Sequence, residues 1–253
     1  MIIDAHVHLK HGDEMRTEYG PETILEVMDA VGIGKSVVFA MSTTTRRSIE
    51  MAREAVERFP DRLIPYVYAI PSYERAVLDE IDEAISNLGF RGIKIHVGEC
   101  TLAEYVVDPV IELAGRKGVP CLIDCAGRYR DVERMASSFP ETRIIVAHLG
   151  MYLCRDGGLI DRFIRMAEVH ENIYLDISGV VMVEKIKEAV DRVGANRVIF
   201  GTDGPQERPD VVSFARSEIE KVKGLSLRRE DEEMVLGGTI SGLLGLEEEG
   251  GGR

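Results

Sequence analysis

Two histidines stand one residue apart at the end of an apolar run, Ile2-Ile3-Asp4-Ala5-His6-Val7-His8-Leu9. Side chains alternate across a β-strand, so on a strand His6 and His8 share a face, with Asp4 one layer below. Two neutral imidazoles projecting together from a strand end suit one metal ion, zinc or a first-row neighbour. Taken alone, a His-x-His pair is equally consistent with an edge strand carrying two incidental histidines. The same chemistry recurs at the ends of later apolar runs. Lys94 and His96 close Arg91-Gly92-Ile93-Lys94-Ile95-His96, and Asp124 closes Val119-Pro120-Cys121-Leu122-Ile123-Asp124. His148 closes Arg143–His148, Asp176 lies in Ile173–Ile177, and Asp203 stands in Gly201-Thr202-Asp203-Gly204-Pro205. Four of the six histidines thus fall at strand ends, and such selective placement marks one shared rim. His11, in a loop, and His170, at a helix end, are read as non-catalytic.

The elements that must carry these groups follow from periodicity. Val/Ile-rich runs of four to seven residues alternate with helix-period segments eight times, and connections are short. Strands with no long polar alternation are those of a parallel sheet buried on both faces. The series predicts an α/β protein, a (β/α)8 TIM barrel with an extra C-terminal helix near Arg228 to Leu246; a doubly wound open sheet is the runner-up. One domain over 1–246 is expected, followed by a flexible tail over 247–253. Phase within the fifth strand places Asp124 on the face of Leu122, toward the barrel, and Cys121, Ile123 and Cys125 toward the helices. Asp4 is expected to face inward and orient a histidine through its second ring nitrogen, or else to cap nearby backbone.

Composition narrows the partners. A net charge of −13 argues against nucleic acid and anionic membranes. No apolar run approaches the roughly 18 residues of a membrane span. Cys100, Cys121, Cys125 and Cys154 form no Cys-x-x-Cys pattern, and without a signal peptide they read as reduced thiols of a cytoplasmic protein. Charged residues reach 30%, Trp is absent, and Asn (87, 172, 196) and Gln (206) are scarce, a bias that suggests a thermophilic source. Oligomeric state is open, with a homo-oligomer compatible with the fold. In this acidic chain Arg46, Arg47, Arg128, Arg130 and Arg155 all fall in rim segments. Arginine forks suit carboxylate or phosphate, which points to an anionic small molecule. Lys94, His96, Arg128 and Arg155 are the substrate-binding candidates.

The ordered set Ile3-Asp4-Ala5-His6-Val7-His8, Phe90–His96, Ile145-Val146-Ala147-His148-Leu149-Gly150, Ile173–Ser178 and Ile199-Phe200-Gly201-Thr202-Asp203 resembles the amidohydrolase superfamily, in its amidohydrolase-related branch of metal-dependent hydrolases and decarboxylases. The likeness spans residues 1 to about 246, and Gly237-Gly238-Thr239 through Leu246 looks like the branch's closing helix, with Thr239 where Asn is common. The resemblance implies one divalent metal, held by the first-strand histidines, a fifth-strand histidine and the eighth-strand aspartate, with a sixth-strand histidine beside it. Carried over, His6, His8 and Asp203 are ligands and His148 is catalytic or ligating. Where the fifth-strand histidine should stand, this chain has Asp124. It is a substitute ligand, or it marks a metal-free lactonase, or it marks a barrel that only binds. As a ligand it makes the site harder, so Mn or Fe stands beside Zn, the first choice. The resemblance further implies that Asp203 moves the proton of a metal-activated water and that His148 polarises the scissile carbonyl. The expected activity is hydrolysis of a small, anionic amide, ester or lactone, with decarboxylation of a small aromatic or enoic acid as the alternative.

Overall fold

A computed structural model describes residues 1–72 and 75–246 of the chain. Eight parallel strands pair in sequence order: β1 (Ile2–Lys10), β2 (Ile33–Ala40), β3 (Leu63–Tyr68), β4 (Gly92–His96), β5 (Cys121–Asp124), β6 (Ile144–Val146), β7 (Ile173–Asp176) and β8 (Val198–Ile199). The two-residue β8 returns to β1 mainly through the segment that follows it. Ala5 N donates to Phe200 O (3.1 Å), Asp203 N to His6 O (2.9 Å) and His8 N to Gly204 O (2.7 Å). These bonds bring β1 and the segment after β8 together, completing a TIM barrel. Around it lie α1 (Pro21–Val31), α2 (Thr45–Arg58), α3 (Arg75–Asn87), α4 (Glu104–Lys117), α5 (Tyr129–Ser138), α6 (Gly157–Val169), α7 (Val183–Val193) and α8 (Val211–Lys223). Local chemistry sets several of their starts. Pro21 opens α1, and the side chains of Thr44, Asp156 and Asp210 cap α2, α6 and α8 by accepting otherwise unpaired backbone N–H groups.

Two apolar layers result. The barrel interior is filled by Phe39, Tyr66, Tyr68, Leu122, Ile145 and Ile199. Cys121, Ile123 and Cys125 pack in the second layer, between strands and helices, as the phase of β5 requires. The barrel's lower end is stopped by the C-terminal helical run: α9 (Arg229–Glu233), a π-helical turn (Met234–Gly238) and α10 (Thr239–Leu244). Ile240 and Leu243 join the interior cluster, and Thr239 Oγ1 donates to Ala195 O at 2.9 Å. Gly237 permits the contact with the chain start, since a Cβ there would stand 2.2 Å from Met1 O. The expected tail, 247–253, lies outside the described residues. No described helix is long and apolar enough to cross a membrane.

Strand β1 departs from simple alternation. Asp4 pairs with Ser36 and Val7 with Val38, so β1 spends one residue more than β2 over this stretch, a β-bulge. Below it Ile3 and Ala5 belong to the interior cluster; above it Val7 and Leu9 belong to the outer layer. The bulge thus inverts the phase. His6 and His8 reach the cavity, while Asp4 does not share their face as simple alternation predicted. Its carboxylate accepts from His6 N (3.1 Å), Thr202 N (2.9 Å) and Thr202 Oγ1 (2.6 Å). Asp4 therefore caps backbone. It ties the segment before Asp203 to β1 and makes no bond to an imidazole ring.

Candidate active site

A cavity of about 250 Å³ opens at the C-terminal ends of the strands, lined by His6, His8, His11, Lys94, His96, Asp124, His148, Tyr152, Asp203 and Gln206 among others. The strand-end histidines and aspartates converge there because β1, β4, β5 and β6 all deliver their last residues to one rim. Asp203 sits in the left-handed region (φ 61°), fixed by its N–H on His6 O and by Gln206 Nε2 donating to its own carbonyl at 3.0 Å. Aspartate tolerates that region better than most residues. The turn aims Asp203 Oδ1 at His6 Nε2 (3.2 Å) and His8 Nε2 (2.9 Å). His6, His8 and Asp203 thus form one compact triad of ligand-type atoms.

Electrostatics fix the charge states of this triad. Burial lowers His6 and pushes His8 down to about 3, so both imidazoles are neutral at pH 7. Burial would raise Asp203, but the surrounding histidines outweigh it and hold the carboxyl well below the usual range. Lys94, wholly buried, places Nζ 3.0 Å from His6 Nε2, so that nitrogen can present its lone pair. Burial lowers the Lys94 ammonium, while Asp124, Asp203 and Asp176 oppose the shift. The Lys94 amine beside His6 Nε2 eases the approach of that lone pair to the Asp203 carboxylate at 3.2 Å. Two imidazoles and one carboxylate are, moreover, a common donor set for a catalytic divalent ion. The residues present fit a metal.

Asp124 lies outside that triad. Its Oδ2 stands 3.3 Å from His96 Nε2 and 3.3 Å from His148 Nε2, and its Oδ1 accepts from Ala126 N at 3.0 Å. Gly98 N donates to His96 Nδ1 at 3.0 Å, which leaves the proton of neutral His96 on Nε2, facing Asp124. The short aspartate side chain ends among N–H donors, where a histidine would extend further into the cavity. Burial would lower His148, but hydrogen bonding to Asp124 and the charges of Asp203, Asp124 and Asp176 push it up to about 9. Asp124 correspondingly falls well below the carboxylate range against the opposing effect of its burial. His148 is held as a cation beside an anion.

A second cluster lies one layer deeper. His6, His148 and Asp176 also have ligand-type spacing and are all buried. His148 and Leu149 have φ of 60° and 50°, a left-handed pair that turns His148 N onto Asp176 Oδ1 at 3.1 Å. Ser178 Oγ sits among the three groups, 3.1 Å from His6 Nδ1 and 3.0 Å from His148 Nδ1.

The cavity includes residues that the sequence reading set aside. His11 stacks on His8 at 4.3 Å between ring centroids and donates from Nε2 to Pro205 O at 2.7 Å. Its spacing three residues past His8, at the end of a strand that runs to Lys10, was the available signal. Tyr152 sets its ring edge toward His148 at 5.1 Å. Ser178, buried beneath the cavity, ends the Ile173–Ser178 run of the family resemblance but drew no role from it. The five rim arginines are placed elsewhere. Arg46 pairs with Glu80 and Arg47 with Glu50 and Glu54 on the outer helices, while Arg128, Arg130 and Arg155 are exposed and none of the five lines the cavity. Arg128 is the N-cap residue of α5 and Arg155 immediately precedes the N-cap of α6, positions that solvate a long cation readily. Lys94 and His96, by contrast, line it.

Comparison with known proteins identifies the family and the fold. The family model described as "Amidohydrolase" matches residues 3–246. The chain belongs to the amidohydrolase family, a family of metal-dependent enzymes. No curated protein matches it in sequence. Among solved structures, the fold is shared with an amidohydrolase from Burkholderia multivorans with bound zinc (16% identity over 98% of this chain and 100% of that one, TM-score 0.78). It is shared also with a dihydroxybenzoic acid decarboxylase from Polaromonas with bound manganese and the inhibitor 2-nitroresorcinol (16%, 98% and 97%, TM-score 0.73). A third is a probable 2-pyrone-4,6-dicarboxylic acid hydrolase from Acinetobacter baumannii with citric acid bound (15%, 96% and 99%, TM-score 0.71).

Proposed function

We propose that this protein is a metal-dependent hydrolase of a small anionic amide, ester or lactone, with His6, His8 and Asp203 holding the ion. The observation that carries this reading is the position of Asp203. Its side chain is 13% exposed, against 0% and 5% for the two histidines it touches, so it is the most open member of the triad and can exchange a proton in the cavity. A divalent ion held there, zinc first for this donor set, with manganese or iron as alternatives, would supply Lewis acidity and acidify a water near neutrality. Asp203, ionised at neutral pH, takes the proton of the attacking water and returns it to the leaving group. The His148 cation donates from Nε2 to the carbonyl oxygen that gains charge. Lys94 and His148 give the wall its positive character and, with His96, orient a substrate carboxylate, a task that falls to them because the rim arginines stand outside. Asp124 serves as the anion that keeps His148 protonated.

Decarboxylation of a small aromatic acid is the second reading. It is favoured by Tyr152, whose exposed ring lines the cavity beside His148 and suits a planar partner. The test is to assay the metal-loaded enzyme with carboxylated lactones, esters and amides and with hydroxybenzoates. Hydrolytic acid release that is lost in Asp203→Asn supports the hydrolase. CO2 release without hydrolysis overturns it in favour of the second reading, and ligand binding with neither product overturns both.

A further inference from the structure

We infer that Ser178 is a positioning residue that holds neutral His6 in the Nδ1–H tautomer and fixes the His148 imidazolium through its Nδ1–H, its hydroxyl serving His6 and its carbonyl serving His148. The inference deepens the proposed function, since it rests on His6 presenting Nε2 to a metal.

Ser178 follows β7, two residues after Asp176, and is fully buried. Its hydroxyl has one hydrogen and three neighbours: His6 Nδ1 at 3.1 Å, His148 Nδ1 at 3.0 Å and Asp176 Oδ1 at 2.5 Å. Asp176 Oδ1 already accepts the N–H groups of His148 and Ser178, so it stands as an acceptor toward the hydroxyl, of which it is the nearest neighbour. The serine hydrogen therefore goes to Asp176. The oxygen is left with lone pairs alone, and both imidazole nitrogens that face it must be donors. Each ring then carries hydrogen on Nδ1. His6 Nε2 is left as a lone pair toward Lys94 and Asp203, the atoms of the metal triad.

The two histidines depend on Ser178 differently. His148 Nδ1 has a second acceptor in Ser178 O at 2.8 Å. His6 Nδ1 has only Asp176 Oδ1 at 3.6 Å, too long for a hydrogen bond. Removing the hydroxyl leaves His148 held and His6 free to rotate or change tautomer. Asp176 Oδ1 keeps the N–H groups of His148 (3.1 Å) and Ser178 (3.2 Å), so the loss is confined to one ring. The loop itself is braced from outside the barrel, where Gly179 N donates to the buried Glu218 Oε2 at 3.3 Å. The hydroxyl also occupies the middle of the His6–His148–Asp176 cluster. That cluster is a hydrogen-bond hub despite its ligand-type spacing, and the protein takes up one ion per chain.

The test uses chelator-treated full-length protein labelled with 15N-histidine, together with zinc titration against a competing chelator. In the wild type His6 is expected to show the neutral Nδ1–H signature and His148 that of an imidazolium protonated on both nitrogens. Ser178→Ala should blur His6 into a tautomer mixture, leave His148 unchanged and weaken zinc binding about 10- to 100-fold. Ser178→Thr, which keeps the hydroxyl, should restore the His6 signature and most of the affinity. Zinc affinity of Ser178→Ala within about threefold of wild type, with the His6 signature intact, overturns the inference. If Ser178→Ala fails to fold, the wild-type spectrum decides: Nε2–H on His6 overturns it and Nδ1–H supports it. Wild-type protein that takes up no metal refutes the proposed function, while the tautomer signatures still judge Ser178.

Discussion

Asp124 Oδ2 faces His148 Nε2 at 3.3 Å across the cavity floor, and this pairing sets the charge of the site. His148 is raised from 6.5 to about 9 in the folded protein, by Asp124's hydrogen bond and the surrounding carboxylates against the opposing effect of burial. A raised folded pKa means that the pair's stability is fully present below about 6.5 and is lost as pH climbs through 9. Activity that uses the His148 proton should fall along the same basic limb. Asp124→Asn removes the anion, and the limb should move to lower pH by about 1–3 units. A kcat/KM profile and a proton NMR titration of His148 check this together, and an unmoved limb would show that the proton belongs to another group.

Metal uptake should follow the triad. His8→Ala and Asp203→Asn each remove one converging atom and should leave protein purified without chelator substantially depleted in metal. Asp124→Asn should retain it, because Asp124 lies among imidazole N–H groups outside the triad. Elemental analysis reads the outcome directly, and full depletion in Asp124→Asn would instead make Asp124 a ligand. For Asp203→Asn the loss in kcat should reach about 10²–10⁴-fold, the usual scale for a lost acid–base group.

Gly201 is where the site tolerates no side chain. A Cβ there would stand 2.6 Å from Asp176 Oδ2 and 2.8 Å from His6 Cβ, both fully buried. Gly201→Ala should cost about 1–3 kcal/mol by overpacking. Thermal denaturation should show a midpoint lower by about 2–4 °C per kcal/mol. Because the displaced atoms belong to His6 and Asp176, metal affinity should fall as well. A stable variant with normal metal affinity would mean that β1 yields without disturbing His6.

On the outer face, α6 and α7 are joined by a chain of ion pairs, Asp161–Lys185–Glu188–Arg192–Glu168. Arg192 lies at a branch, paired with Glu168 at 2.7 Å and Glu188 at 2.8 Å. These side chains are partly solvated, so Arg192→Ala should cost no more than about 1 kcal/mol. The cost should shrink in about 1 M salt, where charges are screened beyond roughly 3 Å. Urea denaturation at two salt concentrations measures both.

Most of the architecture was legible in the chain, because each buried strand is written as a Val/Ile run and each helix as a 3.6-residue period. Those signals are local. The end of each run also marked its chemical residue, which is why His6, His8, Lys94, His96, Asp124, His148 and Asp203 could be named from spacing. Phase alone correctly divided Leu122 from Cys121 and Ile123. It failed at Asp4, because a bulge depends on what the neighbouring strand pairs with, and β2 lies about thirty residues away.

What the sequence determined by itself is the barrel and the set of groups delivered to its rim, since both follow from the order of residues along single strands. Which of those groups touch was decided only by the closed barrel. His6 meets Asp203 and Ser178 meets His6 across sequence separations of well over a hundred residues, and no local period encodes such distances. Tertiary structure also set Asp124, for which the sequence left three readings open, against His96 and His148. Burial then fixed the charges: removed from water, His8 becomes neutral, whereas His148, given a carboxylate neighbour, remains a cation.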